Sequence, residues 1–172
     1  WLKILNDLKS RGVQDILIAC IDNLKGFKEA ISTVFPQADI QQCIVHQIRN
    51  SMRYIAHKQS KEFLENLKTI YKAPTKEVAE SNLQQLDGKW SIKYPHVVRS
   101  WQVNWAELSS YFQYPVDMRK LVYTTNVIES FNSQLRKITK TKRVFNTDTG
   151  LMKLLYLVEE NITKKWIGTI HN

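Results

Sequence analysis

The chain has 172 residues, 43% of them hydrophobic, which is enough for one domain with a real core or for a core with a helical insertion. Its apolar runs, such as residues 16–21, are far shorter than the roughly 20 residues that cross a bilayer, and no signal peptide opens it. Two cysteines exclude a disulfide framework and favour a reducing compartment. The formal charge of +9 points to an anionic partner, although charge alone does not separate a nucleic-acid-binding protein from an ordinary basic one.

The first 45 residues carry the pattern of a parallel α/β unit. Residues 1–10 have the apolar spacing of an amphipathic helix. The apolar run 16–21 predicts a strand buried on both faces, with Cys20 inside it as a small hydrophobe. A helix is predicted over 24–35, closed by Pro36, and a second strand over 38–45. Strand, helix, strand order favours parallel pairing.

Beyond His46 the sequence predicts helices only. The apolar spacing indicates helices over 46–58, 60–73 and 75–87, with Pro74 and Asp87-Gly88 as breaks. Residues 88–118 combine short helices with proline-marked turns, and their tryptophans are predicted to be core rather than base-stacking surfaces, with Trp101 and Trp105 open to either role. Two further helices are predicted, over 126–140 and near 147–166.

Asp22 is the first candidate for chemistry, because it stands where an apolar strand ends. Functional residues of α/β sheets collect at that edge. The alternative is structural: a carboxylate at this position could cap the helix predicted to begin near Leu24. Position alone does not decide between the two.

Glu129 is the second candidate, because it is the single acid among seven basic residues between Arg119 and Arg143. It opens a helix face at i, i+3, i+4, i+7 and i+11 that could offer a metal ligand together with phosphate contacts. The alternative is a capping box in which Asn126 starts the helix and Glu129 reaches back to it. Spacing leaves both open. The face consists of Glu129, Asn132, Ser133, Arg136 and Lys140, and the basic residues are Arg119, Lys120, Arg136, Lys137, Lys140, Lys142 and Arg143.

A second basic stretch, Ile40–Lys61, holds four basic residues and no acid. Within it, His46, Arg49, Arg53 and His57 follow helical spacing, which would give one cationic face that could meet a phosphate backbone or simply be solvated. Cys43 and His46 have the Cys-x-x-His spacing of two zinc ligands. Since a structural zinc site needs four ligands and no second pair is present, zinc is not expected. His96 has no recognisable partner.

Two segments, residues 15–50 and 112–140, together resemble the bacterial mutator-type insertion-sequence transposases. In that family an Asp-Gly-x-x-Gly segment carries the second catalytic aspartate, a Phe-Pro turn leads to a Cys-x-x-His motif, and Thr-Thr-Asn-x-x-Glu-Ser carries the catalytic glutamate. The matching positions here are Asp22, Cys43 with His46, and Glu129, and a basic residue seven places after the glutamate is Arg136. The resemblance covers nearly the whole chain.

The resemblance implies a DDE transposase with a partial RNase H-like fold, α/β but predominantly helical and interrupted by an all-α insertion. It implies two Mg²⁺ ions, with Mn²⁺ as an alternative, bound by Asp22, Glu129 and a third carboxylate; they activate a water or 3′-hydroxyl for in-line attack on a phosphodiester. Arg136 would hold DNA phosphate, Cys43 and His46 would lie beside the active site, and Lys137, Lys140, Arg49 and Arg53 are further candidate DNA contacts. We expect three parts: 1–56 and 118–172 as core and 57–117 as the helical insertion.

The expected partners are double-stranded DNA, both transposon ends and target, and further copies of the complete protein, in the cytoplasm and associated with the nucleoid, without membrane contact. Asn23 stands where the family has glycine, and asparagine also accepts turn conformations. The chain opens on Trp1, already in a helical pattern, and the family's first aspartate lies upstream, so we expect a fragment that is inactive or poorly folded alone. The alternatives are a noncatalytic nucleic-acid-binding module and a repair nuclease of the same fold.

Overall fold

The computed structural model describes residues 1–123, 126–141, 144–145 and 147–164. By the clustering of their contacts they divide into two compact units, residues 1–125 and 126–172. Among the described residues, no helix combines the length and the apolar character needed to cross a membrane. The three-part division expected from the sequence stays a prediction.

The first unit begins with the predicted α/β pattern. Helix α1 (Leu2–Ser10), strand β1 (Ile18–Ile21), helix α2 (Phe27–Val34) and strand β2 (Asp39–Gln42) follow in order. The strands pair in parallel, with Ile18 opposite Asp39 and Ile21 opposite Gln42. One face of this sheet packs on an N-terminal core beneath α1 and α2, formed by Leu5, Ile21, Ala30, Ile31, Val34 and Phe35.

The rest of the first unit is helical, as predicted. The helices are α3 (Ile44–Met52), α4 (His57–Tyr71), α5 (Lys76–Trp90), α6 (Pro95–Val103), α7 (Trp105–Leu108) and α8 (Val116–Tyr123), with a 3₁₀ turn at Ser110–Gln113 between α7 and α8. Their apolar faces meet in one helical core that includes Phe63, Leu67, Trp90, Trp101 and Tyr111. Trp90 is buried, which confirms its predicted core role, and the burial of Trp101, whose role the sequence left open, assigns it to the core as well.

Gln41 connects β2 to the helical core. Its side chain is fully buried, and its Oε1 accepts hydrogen bonds from the Tyr111 backbone N–H and the Ser110 hydroxyl, both at 2.7 Å. Its Nε2 donates to the Leu108 carbonyl at 3.1 Å. A buried amide is tolerated where its polar atoms are satisfied, so Gln41 fixes the 3₁₀ turn against the strand.

The prediction that β1 is buried on both faces is wrong. Cys20 is exposed, and its thiol donates to the Val122 carbonyl at 3.0 Å. Side chains alternate between the two faces of a strand, so Cys20 lies on the face opposite the buried Ile21, and the described residues leave it exposed there.

Several predicted limits are also wrong. The strand predicted over 38–45 ends at Gln42, because Cys43 caps α3 and Ile44 begins it. The helix predicted over 46–58 ends at Met52, and the turn at 53–56 separates it from α4, which begins at His57. That turn contains neither glycine nor proline, so no residue in the sequence marks the end of the helix there. Conversely, α5 continues through Gly88 to Trp90. The burial of Trp90 and its 2.8 Å hydrogen bond to Asn66 outweigh the roughly 1 kcal/mol that a helical glycine costs.

The second unit contains α9 (Asn126–Thr141) and α10 (Asp148–Thr163), close to the predicted helices. Thr147 caps α10 by accepting a 3.1 Å hydrogen bond from the Gly150 N–H. Residues 165–166, the last of the predicted helix, lie outside the described residues. The apolar side chains of α9 are only partly covered, since Ile128 is 53% and Ile138 is 38% exposed.

Candidate functional site

Asp22 and Cys43 lie at the same edge of the sheet because β1 and β2 are parallel. Asp22 directly follows β1 and Cys43 directly follows β2, and the Cys43 N–H donates to the Ile21 carbonyl at 2.8 Å. Cys43 is also the N-cap of α3, which places His46 in the first turn of that helix. The carboxyl ends of parallel strands are where α/β folds place functional groups.

Asp22, Cys43 and His46 converge at this edge. The His46 Nδ1 lies 2.8 Å from the Asp22 Oδ1 and 3.1 Å from the Cys43 Sγ. The possible ligand atoms of the three side chains all lie within 4.8 Å of one another. Cys43 is buried, whereas the side chains of His46 and Asp22 are 33% and 42% exposed. The carboxylate is therefore both held by the imidazole and open to solvent.

The capping alternative for Asp22 is wrong. Helix α2 begins three residues later than predicted, at Phe27, and its N-cap is Gly26, with no side-chain capping hydrogen bond. Gly26 has a φ of +78°, which favours glycine. Asn23 has no positive φ, so asparagine in place of the family's glycine causes no backbone strain here.

A cavity of about 170 Å³ opens beside Asp22. Its polar lining residues are Asp22, Asn23, Lys28, Gln42, Asn104 and Glu107, and the other four lining residues are apolar. Glu107 is paired with Lys28, whereas the Gln42 Oε1 is buried without a hydrogen-bond partner. Oxygen donors are what Mg²⁺ prefers, so the groups present fit a hard divalent ion.

The cationic face predicted over His46, Arg49, Arg53 and His57 is not a single helix face. Arg49 is exposed on α3 and Arg53 is exposed at its C-cap, but His57 starts α4 and His46 turns to Asp22. The structure instead places Arg53 with His96, Asn50 and Ser100 around a cavity of about 300 Å³. Sequence spacing could not reveal this grouping, since His96 comes from α6.

Glu129 lies in the first turn of α9, within the second unit. It is partly buried, and the predicted polar stripe after it is exposed: Asn132, Ser133, Arg136 and Lys140. Lys137 is exposed as well. The continuous helix confirms that these residues share a face. The preceding Thr124 and Thr125, together with Lys142 and Arg143, lie outside the described residues, and the capping box with Asn126 stays untested.

The chain is similar over nearly all its length to known transposases. The model of the family described as "Transposase, Mutator family" matches residues 1–169. The transposase for insertion sequence element ISRM3 of Rhizobium meliloti is 44% identical over 167 residues, 96% of this chain and 42% of that protein. The transposase for IS905 of Lactococcus lactis is 31% identical over 171 residues, 99% of this chain and 44% of that protein.

These matches cover the sheet edge that carries Asp22, Cys43 and His46 as well as the helix that carries Glu129. The chain spans less than half of the length of these two relatives. A match of this extent shows membership, and the chain belongs to the Mutator family of transposases.

Proposed function

We propose that this chain is part of the catalytic region of a DDE transposase with an RNase H-like core, and that Asp22 and Glu129 are two of its metal-binding carboxylates. When bound, two Mg²⁺ ions would activate the attacking oxygen and stabilise the leaving oxygen at a transposon end. The observation that carries the proposal is the placement of Asp22, which caps no helix and lies at the carboxyl edge of a parallel sheet, beside a cavity that Asn23 and Gln42 also line.

The chain's own residues have separable roles in this proposal. The His46 imidazole fixes the Asp22 carboxylate through the 2.8 Å contact, which limits its rotation before a metal ion arrives. Arg136, Lys137 and Lys140 form an exposed basic surface on α9 that would contact DNA phosphates. Arg49 and Arg53 offer a second basic surface on the first unit. Glu129 would supply a carboxylate from the start of α9.

The test uses a chimera in which this chain replaces the matched region of the ISRM3 transposase. Glu129→Gln keeps the size of the side chain and removes its charge. If Glu129 is a metal ligand, cleavage of transposon-end DNA is expected to disappear while the affinity for that DNA stays within about twofold. A noncatalytic binding module predicts that the substitution changes neither measurement.

The unsubstituted chimera is the positive control. Cleavage by the Glu129→Gln chimera at the rate of its parent would remove Glu129 from the active site. Loss of DNA binding together with cleavage would assign Glu129 to folding or to DNA contact instead.

The basic surface of α9 makes a separate prediction about DNA binding. A plot of log affinity against log salt concentration has a negative slope. Replacing Arg136, Lys137 and Lys140 with alanine is expected to make that slope shallower by about 0.9 for each DNA phosphate that the variant no longer neutralises. Fluorescence anisotropy of labelled duplex DNA at several salt concentrations measures this slope.

The matched control replaces Lys72, Lys89 and Lys93 with alanine, because it removes the same net charge from exposed positions in the first unit. We expect a smaller change in slope from this control. Equal changes in the two variants would mean that net charge, and not the α9 surface, determines the binding.

A further inference from the structure

A divalent metal of a different kind fits the cluster of Asp22, Cys43 and His46. The three side chains supply one oxygen, one sulfur and one nitrogen, and the ligand atoms all lie within 4.8 Å of one another. Thiolate and imidazole are borderline-to-soft ligands that suit Zn²⁺ and do not suit Mg²⁺. The chemistry of this donor set therefore differs from that of the carboxylate and amide groups that line the cavity beside it.

We propose that Asp22, Cys43 and His46 form a three-ligand site for Zn²⁺, with its fourth position open to water. Sequence spacing argued against zinc because it showed two ligands. Asp22, distant in sequence, supplies the third, since the parallel register brings the end of β1 level with Cys43. Three protein ligands and one open position are the arrangement of a zinc site that exchanges its fourth ligand.

The distances require only a small adjustment. Around a tetrahedral zinc ion, bonds of about 2.0–2.3 Å place neighbouring ligand atoms about 3.4–3.6 Å apart. The His46 Nδ1 now lies 2.8 Å from the carboxylate and 3.1 Å from the sulfur, so these two pairs open by less than about 1 Å. The carboxylate and the sulfur lie within 4.8 Å of each other, so this third pair changes by at most about 1.4 Å. The partly exposed Asp22 and His46 side chains leave room for this shift and a route for the ion.

The surroundings also suit a metal-bound thiolate. Cys43 is 1% exposed, and the backbone N–H of His46 lies 3.5 Å from its sulfur at the N-terminus of α3. Helix N-termini favour negative charge, which a zinc-bound thiolate carries. Binding transfers the thiol proton to solvent as the sulfur–metal bond forms. The site stands on this geometry, and only its competition with Mg²⁺ for Asp22 rests on the proposed function.

Cobalt provides the test, because Co²⁺ occupies zinc sites and absorbs light. Titration of the ISRM3 chimera with Co²⁺ should produce a thiolate-to-cobalt charge-transfer band that saturates at one ion per chain, and Zn²⁺ should bleach it. Cys43→Ser should abolish the band, and His46→Ala and Asp22→Asn should each weaken Co²⁺ binding about tenfold or more. Cys20→Ser is the matched control and should keep the band.

A second measurement covers the case in which a variant folds poorly. Zn²⁺ should raise the midpoint of thermal unfolding of the unsubstituted protein and of Cys20→Ser, since an ion that binds the folded state stabilises it. Absence of both the band and the thermal shift in the unsubstituted protein would overturn the proposal. A band that survives Cys43→Ser or disappears in Cys20→Ser would do the same. None of these outcomes bears on whether Glu129→Gln abolishes cleavage.

Discussion

Asp22→Asn is expected to reduce the rate of transposon-end cleavage by the ISRM3 chimera at least about a thousandfold. A catalytic metal ion contributes several kcal/mol to the transition state, and each 1.4 kcal/mol changes the rate about tenfold. Asparagine keeps the shape of the side chain and can still approach His46, but it lacks the negative charge that holds the ion. Single-turnover cleavage of a labelled transposon end, with Mg²⁺ in excess, measures the rate.

Asp7→Asn is the matched control, because it removes the same charge from an exposed carboxylate on α1. Its rate should equal that of the parent chimera. His46→Ala should lie between the two, with a loss of about 10- to 100-fold, since it leaves the carboxylate present but poorly oriented. If Asp22→Asn and Asp7→Asn cleave equally well, Asp22 is not a metal ligand.

Local pattern was sufficient to predict most elements of the fold. The apolar spacing predicted α1, both strands, their parallel pairing and α9, because each depends on a face that repeats over a short stretch. The apolar spacing did not predict the ends of helices that depend on tertiary contacts. The end of α3 at Met52 has no glycine or proline to mark it, and α5 passes Gly88 because Trp90 is anchored to Asn66.

The sequence predicted the individual residues of the candidate site but not the contacts between them. Asp22 was singled out by its place after an apolar run, and Cys43 and His46 by their spacing. The contact between Asp22 and His46 depends on the register of β1 against β2, which no local pattern carries. For the same reason, the grouping of Arg53 with His96 could not be predicted, since it depends on how α6 packs near the end of α3.

Trp101→Ala is expected to lower the free energy of unfolding by about 3–5 kcal/mol, the usual cost of deleting a large aromatic side chain from a core. Trp101 is completely buried in the helical core, and its indole N–H donates to the Ser51 hydroxyl at 2.9 Å. The substitution therefore leaves a cavity and removes one hydrogen bond between α6 and α3, while the one from Gln47 to Ser100 stays. For a chain of this size the midpoint of thermal unfolding should fall by roughly 6–20 °C.

Val103→Ala is the control on the same helix, because Val103 is 69% exposed and its truncation should change stability by less than about 0.5 kcal/mol. Thermal unfolding followed by circular dichroism compares the two variants. Because α3 also carries His46, loosening Trp101 is expected to weaken Co²⁺ binding as well. Equal stability of the two variants would mean that Trp101 does not stabilise the helical core. An unchanged Co²⁺ affinity in Trp101→Ala would mean that the packing of this core does not affect the ligands at the sheet edge.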